Sequence, residues 1–232
     1  VMIEEKYPMS QGVAITVKSM AQFEFLISKY CCVFDIEFTN IFASETQDNP
    51  ISVSKCFVKE NPCENNGRIV AAAKIALTIT DVDFNILKNF YTWESMSVGE
   101  MYCYKKEYLP TPFVKSILHL YESKTKLKGV EGKEVEYLNS KEMLNSCYGM
   151  SVTNPLRDEF TYNGEWDIIS MTAEQKQELL YKYNTSKNRF LFYPWGIFVT
   201  AYARRNLFTG IHEAKDDYIY SDTDSIKIMN GK

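Results

Sequence analysis

A chain of 232 residues with 45% apolar and 14% aromatic side chains has ample material for a core, which excludes a disordered polypeptide. No run approaches the roughly 18 apolar residues of a membrane span, so a soluble protein with no membrane partner is expected. The net charge of −4 leaves no basic footprint for nucleic acid, although carboxylates gathered to hold metal ions would themselves supply acidity.

Six cysteines, at 31, 32, 56, 63, 103 and 147, form no CxxC pair, and His119 and His212 lie far from them in sequence, so a zinc site is not expected. Adjacent Cys31 and Cys32 read as buried thiols, and a reducing, cytoplasmic compartment fits this usage. The opening Val-Met-Ile-Glu-Glu carries neither a signal peptide nor an Arg-rich leader, and both ends read as cut from something longer.

In chain order, Met20 to Tyr30 has the spacing of an amphipathic helix. Cys31 to Ile36 is a β-branched and aromatic run expected to form a buried strand ending at Asp35, and residues 44–50 are turn-like. Ile51 to Val58 alternates as a strand, Asn61 to Gly67 is a loop, and Ile69 to Thr80 reads as one strand or two. Asp83 to Tyr91 reads as a short helix capped by Asp81 or Asp83. Thr111 to Leu127 is predicted helical, with Pro112 in the first turn and Phe113, Ile117, Leu120 and Tyr121 on one face. Beyond Gly129 and Gly132, a second helix from Lys133 to Tyr148 is expected to stop at Gly149 in the C′ position. Residues 154–190 are polar, with one helix at Ala173 to Tyr183. Phe192 to Thr209 reads as a buried helix entered through Pro194, and a hairpin follows over Asp217 to Ile228. Strands and helices intermix without βαβ regularity, which gives the α+β class.

The sharpest chemical feature is Tyr220-Ser221-Asp222-Thr223-Asp224-Ser225. Apolar alternation on both sides places it at a turn between antiparallel strands. Two carboxylates one residue apart at such a turn can converge on divalent cations, and hard oxygen ligands suit Mg²⁺, which also keeps substrate phosphates as ligands. A second feature is Lys141-Glu-Met-Leu-Asn145-Ser146-Cys-Tyr148-Gly149. On a helix, Lys141, Asn145 and Tyr148 fall at i, i+4 and i+7, hence on one face. Alone, these two strings also describe an Asp-rich hairpin and an amphipathic helix with a glycine cap.

Together and in this order they resemble motifs C and B of family B DNA polymerases. Motif A should supply a third carboxylate at a strand end, and Cys31-Cys-Val-Phe-Asp35-Ile-Glu37 resembles it up to the aspartate. It then departs from the family: Asn40 stands at the place of the tyrosine that excludes ribonucleotides, with Phe38 and Phe42 as substitutes for that role. Asp81 and Asp83 in Leu77-Thr-Ile-Thr-Asp-Val-Asp-Phe are the competing motif A carboxylates. Asp35 with Glu37 also resembles the first motif of a Mg²⁺-dependent 3′–5′ exonuclease.

Further likeness is to the protein-primed branch, the phage and linear-plasmid replicases. Tyr193-Pro-Trp-Gly to Arg204 resembles the helix before motif C there, Thr153-Asn154-Pro155 follows motif B as it does there, and Gln11-Gly12 resembles the loop joining exonuclease and polymerase. The resemblance implies a polymerase palm with an antiparallel sheet, helical fingers and two inserted subregions. It divides the chain into first palm part and first insertion (1–110), fingers (111–150), second insertion (151–190) and second palm part (191–232). It implies Asp35, Asp222 and Asp224 as catalytic and metal ligands for two Mg²⁺ ions, with Mn²⁺ as a substitute. Lys124, with Lys128 in reserve, Lys141, Asn145, Tyr148 and Ile36 are implied for the incoming dNTP. Implied partners are primer–template DNA, dNTPs and a terminal priming protein, in the cytoplasm of an infected bacterium if phage-derived. Arg204 and Arg205 are read either as template-phosphate contacts or as helix caps. A degenerate polymerase-like module that binds DNA or a priming protein is the alternative function.

Overall fold

Residues 12–44, 48–154, 156, 159–186 and 193–230 are described by a computed structural model. Residues 1–5, Gln11, residues 45–47 of the turn-like stretch, Pro155, Phe192 and residues 157–158 and 187–190 of the polar stretch, which carry expectations above, lie outside the described residues. The chain divides into two units, one of residues up to 107 together with those from 198 on, the other of residues 108–197.

The first unit runs β1 (Val13–Thr16), α1 (Met20–Lys29), β2 (Tyr30–Ala43), β3 (Cys56–Glu60), β4 (Cys63–Asn65), β5 (Arg68–Thr80), α2 (Asp81–Phe90) and β6 (Tyr91–Lys105). The second contains α3 (Thr111–Leu127), α4 (Glu134–Ser151), β7 (Glu159–Tyr162), β8 (Trp166–Ile169) and α5 (Ala173–Thr185). The unit boundary falls inside α6 (Tyr193–Ala214), after which β9 (Tyr218–Asp222) and β10 (Ser225–Ile228) complete the first unit.

Alternation along β2 decides how the first unit is layered. Cys32, Phe34, Ile36 and Phe38 are at most 1% exposed, whereas Asp35 and Glu37 between them point to the other face. The sheet is antiparallel throughout, in the order β1-β6-β2-β5-β3 with β4 also on β5. One face is thus packed and the other bears polar groups, the usual arrangement for an antiparallel sheet. On the packed face, Phe23 of α1, Phe34 of β2 and Phe84 of α2 meet edge to face with ring centroids 5.1–6.2 Å apart. Phe90 of α2 meets Phe208 of α6 at 5.5 Å. Full burial of each such ring contributes about 2–3 kcal/mol.

β2 does not end at Asp35 but continues to Ala43, because both neighbours keep pairing with it, β5 as far as Phe42 and β6 as far as Ala43. Ile51 to Val58 is not one strand: a 3₁₀ turn at Val53–Lys55 precedes β3. The 61–67 loop contains the short strand β4, and residues 68–80 form one strand. α2 is capped by neither Asp81 nor Asp83. Thr80 is the N-cap, its hydroxyl accepting from the Asp83 N–H while the Asp83 carboxylate accepts from the Thr80 N–H, a complete capping box. β1, β6 and the β7–β8 hairpin were not anticipated.

In the second unit, α3 has the predicted bounds. Phe113, Ile117, Leu120, Lys124 and Leu127 are half-buried, whereas Tyr121 is 55% exposed. α4 pairs with α3 across a turn in which Gly129 and Gly132 both take φ of 75°. Gly149 does not end α4. It stays helical, and the helix closes two residues later when the Val152 N–H turns back to the Gly149 and Met150 carbonyls and the Thr153 hydroxyl donates to the Gly149 carbonyl at 2.9 Å. Among the described residues no helix is long and apolar enough to cross a membrane.

Candidate active site

Asp35 stands in the middle of β2 on the polar face. Its cross-strand partner on β5 is Thr78, whose hydroxyl donates to Asp35 Oδ1 at 2.5 Å. On the β6 side the register shifts: Phe34 faces Met101 and Ile36 faces Val98, so Gly99 and Glu100 together oppose Asp35. This is a β-bulge, a device that increases local twist and re-aims side chains. A Cβ on Gly99 would lie 3.4 Å from the Asp35 Cβ, so glycine leaves the space beside the carboxylate open. Two places along β2, Glu37 pairs with Lys74 at 3.0 Å, and the exonuclease reading, which needs Glu37 as a ligand, meets a carboxylate already engaged by a cation. Ile36 is 1% exposed, so it offers a nucleotide only its backbone. Of the residues considered for sugar discrimination, Phe38 is buried against Trp93 at 4.7 Å, Asn40 bonds the Glu94 carboxylate, and Phe42 is 55% exposed.

The competing carboxylates are used by the fold. Asp81 is buried, and its Oδ1 accepts the Cys32 N–H at 2.7 Å. Burial pushes the Asp81 carboxyl up, against the opposing pull of that N–H and of Lys106. Asp83 accepts both Arg204 Nε at 2.8 Å and Arg204 Nη2 at 2.9 Å, on top of its bonds from Thr80. This bidentate pair ties α6 to α2. Arg205 instead lies over the Tyr202 ring at 4.7 Å.

Asp222 and Asp224 sit where the sequence places them, at the turn of the β9–β10 hairpin, with Asp222 opposite Ser225. The turn is tight. The Asp224 N–H donates to the Asp222 carbonyl at 2.6 Å, Thr223 takes φ of 53°, and the Ser225 hydroxyl returns to the Asp222 carbonyl at 3.1 Å. A β-branched residue at positive φ is strained, and it turns both aspartates outward to solvent. The base of the hairpin is anchored. The buried Tyr218 hydroxyl donates to Asp48 and lies 3.0 Å from Ser221 Oγ. Against α6, Gly210 lets Ile226 come so close that an added Cβ would meet its Cδ1 at 2.4 Å.

In the second unit, Lys141, Asn145 and Tyr148 are all exposed along one side of α4, beside the half-buried stripe of Tyr137, Leu144 and Cys147. Lys124 belongs to the half-buried stripe of α3, with its ammonium 5.8 Å from the Tyr121 ring. Lys128 is exposed at the end of α3.

β9 and β10 form a sheet of their own, separate from the one that carries Asp35. Among the described residues no three His, Cys, Asp or Glu side chains gather around a common point where a metal ion could sit. The donor chemistry of Asp35, Asp222 and Asp224 nonetheless fits Mg²⁺. All are carboxylates outside the packed core, and Mg²⁺ needs only one or two of them when substrate phosphates and water complete its shell.

Sequence reasoning missed Thr78, Tyr218, Asp48 and the bulge at Gly99–Glu100. A signal existed only for Thr78, a hydroxyl between Leu77 and Ile79 in a largely apolar stretch. The others depend on long-range register that local patterns do not encode.

No protein-family model and no curated protein sequence matches the chain. Its fold is similar to solved structures of Phi29 DNA polymerase. With the ternary complex of that enzyme with primer-template DNA and incoming nucleotides, the TM-score is 0.64 at 18% identity, over 97% of this chain and 38% of that one. With the post-translocation binary complex with primer-template DNA it is 0.61 at 20% identity, over 96% and 34%. With the complex with single-stranded DNA it is 0.59 at 19% identity, over 96% and 34%. The chain therefore spans little more than a third of the length of these structures, and within that span it shares their mixed helix-and-sheet fold.

Proposed function

We propose that this chain is the palm and fingers portion of a family B DNA-directed DNA polymerase of the protein-primed type, extending a primer 3′-OH with dNMP units. The observation that carries the reading is the division of labour among the acidic residues. Asp81 and Asp83 are consumed by an N–H and an arginine, while Asp35, Asp222 and Asp224, the three that match the polymerase motifs, are left on polar or exposed surface. The fold similarity to Phi29 DNA polymerase over nearly the whole chain points the same way.

In this reading Asp35 and Asp224, assisted by Asp222, would hold two Mg²⁺ ions. When bound, those ions supply the charge that favours in-line displacement at a phosphoryl centre. The chain's own residues do the rest. Thr78 fixes the Asp35 carboxylate against rotation, and Tyr218 with Asp48 fixes the hairpin that presents Asp222 and Asp224. Lys141 and a lysine of α3, Lys124 or Lys128, would neutralise the triphosphate, with Asn145 and Tyr148 beside them on α4. Base choice belongs to template pairing. Primer–template DNA, dNTPs and a priming protein are the proposed partners, in the cytoplasm of a bacterial host.

Primer extension by the 232-residue chain in Mg²⁺ or Mn²⁺ tests this, alongside Asp35→Asn and Asp224→Asn. Incorporation that falls by more than about a hundredfold in both variants, with primer–template affinity retained, is the expected result. Equal extension in all three would remove these carboxylates from the chemistry. The separation of the β9–β10 hairpin from the main sheet favours a second reading, a module that binds primer–template DNA without catalysis. Tight DNA binding with no extension in either metal would establish it.

A further inference from the structure

A cleft of about 400 Å³ opens in the first unit at the edge of β5. There β3 pairs with β5 only as far as Leu77, so Thr78 and Ile79 have no ladder partner on that side among the described strands. This volume is within the range of small-ligand sites.

The lining is two-sided. Ile79, Leu87 and Phe208 supply apolar wall, and Lys55, Arg68 and Arg204 supply three cations against a single carboxylate, Asp83. That carboxylate is already satisfied on both oxygens, by Arg204 and by Thr80. Both guanidinium groups are tethered before any ligand arrives, Arg204 by Asp83 and Arg68 by donation to the Pro50 carbonyl at 3.2 Å. Preorganised guanidinium groups with donors to spare favour an anion with paired oxygens, and fixing them beforehand lowers the entropy lost on binding. Lys55, at the end of its 3₁₀ turn, is exposed and adds a mobile charge.

We infer that this cleft binds a nucleoside monophosphate unit, with its flat apolar body against Ile79, Leu87 and Phe208 and its phosphate among Lys55, Arg68 and Arg204. The unit is either a free nucleotide or the 5′-phosphorylated end of a strand. The site is separate from the dNTP contacts proposed on α3 and α4, and it needs no metal. Thr78 lines it and also donates to Asp35, so the cleft adjoins the candidate active site without sharing its carboxylates.

Calorimetric titration of the 232-residue chain with adenosine 5′-monophosphate in EDTA tests the inference. Saturable binding is expected, weakened at least about tenfold by Lys55→Glu and by Arg68→Gln, and by a similar factor when adenosine replaces the nucleotide. Asp224→Asn is expected to bind like the parent. A 5′-phosphorylated single-stranded 12-mer that competes with the nucleotide, where its 5′-hydroxyl counterpart does not, assigns the site to strand ends. Nucleotide binding without such competition assigns it to free nucleotide. No saturation at millimolar nucleotide, undiminished binding in Lys55→Glu, or binding that requires Mg²⁺ and vanishes in Asp224→Asn would each overturn the assignment.

Discussion

Thr78 and Asp35 face each other directly across the β2–β5 ladder, and the hydroxyl of one donates to the carboxylate of the other at 2.5 Å. A carboxylate on an open sheet face is otherwise free to rotate, so this single bond selects its orientation. Thr78→Val keeps the shape and removes the donor. The expected effect is about a fivefold loss in nucleotide incorporation, corresponding to about 1 kcal/mol for a partly solvated bond to a charged group, with thermal stability little changed. Thr78→Ser should retain most of the rate. Primer-extension kinetics compare the three, and equal rates for the valine and serine variants would show that the bond has no catalytic weight.

Gly210 of α6 is in van der Waals conflict with any side chain because Ile226 Cδ1 occupies the space where a Cβ would stand. Gly210→Ala should destabilise the first unit by about 1 kcal/mol through overpacking, even though alanine is the better helix former. Ile226→Val removes the methyl in conflict. The double variant should therefore be more stable than the sum of the two single changes implies, a coupling that urea denaturation of all four proteins measures.

Tyr91 is buried with its hydroxyl donating to the Ile69 carbonyl at 2.8 Å and accepting from the Ile51 N–H at 3.4 Å. Burial holds its phenol well above the ordinary tyrosine value. Tyr218 is raised in the same direction, by burial and then by its bond to Asp48. A pKa raised by folding means that the fold favours the protonated phenol. That contribution is complete below about pH 10, where unfolded tyrosine keeps its proton, and it is lost as the pH rises further. Unfolding free energy should accordingly fall between pH 10 and 11 by up to about 1.4 kcal/mol per pH unit for each such tyrosine. Tyr91→Phe should flatten the decline while costing about 1 kcal/mol at pH 8 through the lost hydrogen bond. A decline of unchanged slope in that variant would place the titrating groups elsewhere.

Much of the candidate site was legible because its parts are local. Asp222-Thr-Asp224 is a hairpin turn between two apolar alternations, and Lys141, Asn145 and Tyr148 share one side of one helix. α3 could be read to the residue because Pro112 opens it and Gly129 follows it. The sheet was less legible, and β6 shows why. Its inward residues run Trp93, then Met96 and Val98, then Met101 and Cys103, so the two-residue period breaks once at Glu94–Ser95 and again at Gly99–Glu100. The first break lies level with Asn40, at φ of 47° in β2, where the inward set also skips from Phe38 to Ile41. A strand whose parity changes twice carries no alternation to detect. Asp35 is preferred to Asp81 and Asp83 on the motif resemblance, since periodicity alone gives all three an aspartate-bearing apolar run. The structure gives each a different partner, Thr78 43 residues from Asp35, Cys32 49 residues from Asp81 and Arg204 121 residues from Asp83.

The bulge opposite Asp35 can be weighed by subtraction. With Gly99 deleted, Glu100 would stand alone across from Asp35, and Val98 and Met101 would still pair with Ile36 and Phe34. Every inward side chain would keep its place. The core has no use for residue 99, and shortening the chain there would cost the interior nothing while flattening the sheet under the carboxylate. That one surplus residue is spent entirely on the surface that Asp35 occupies.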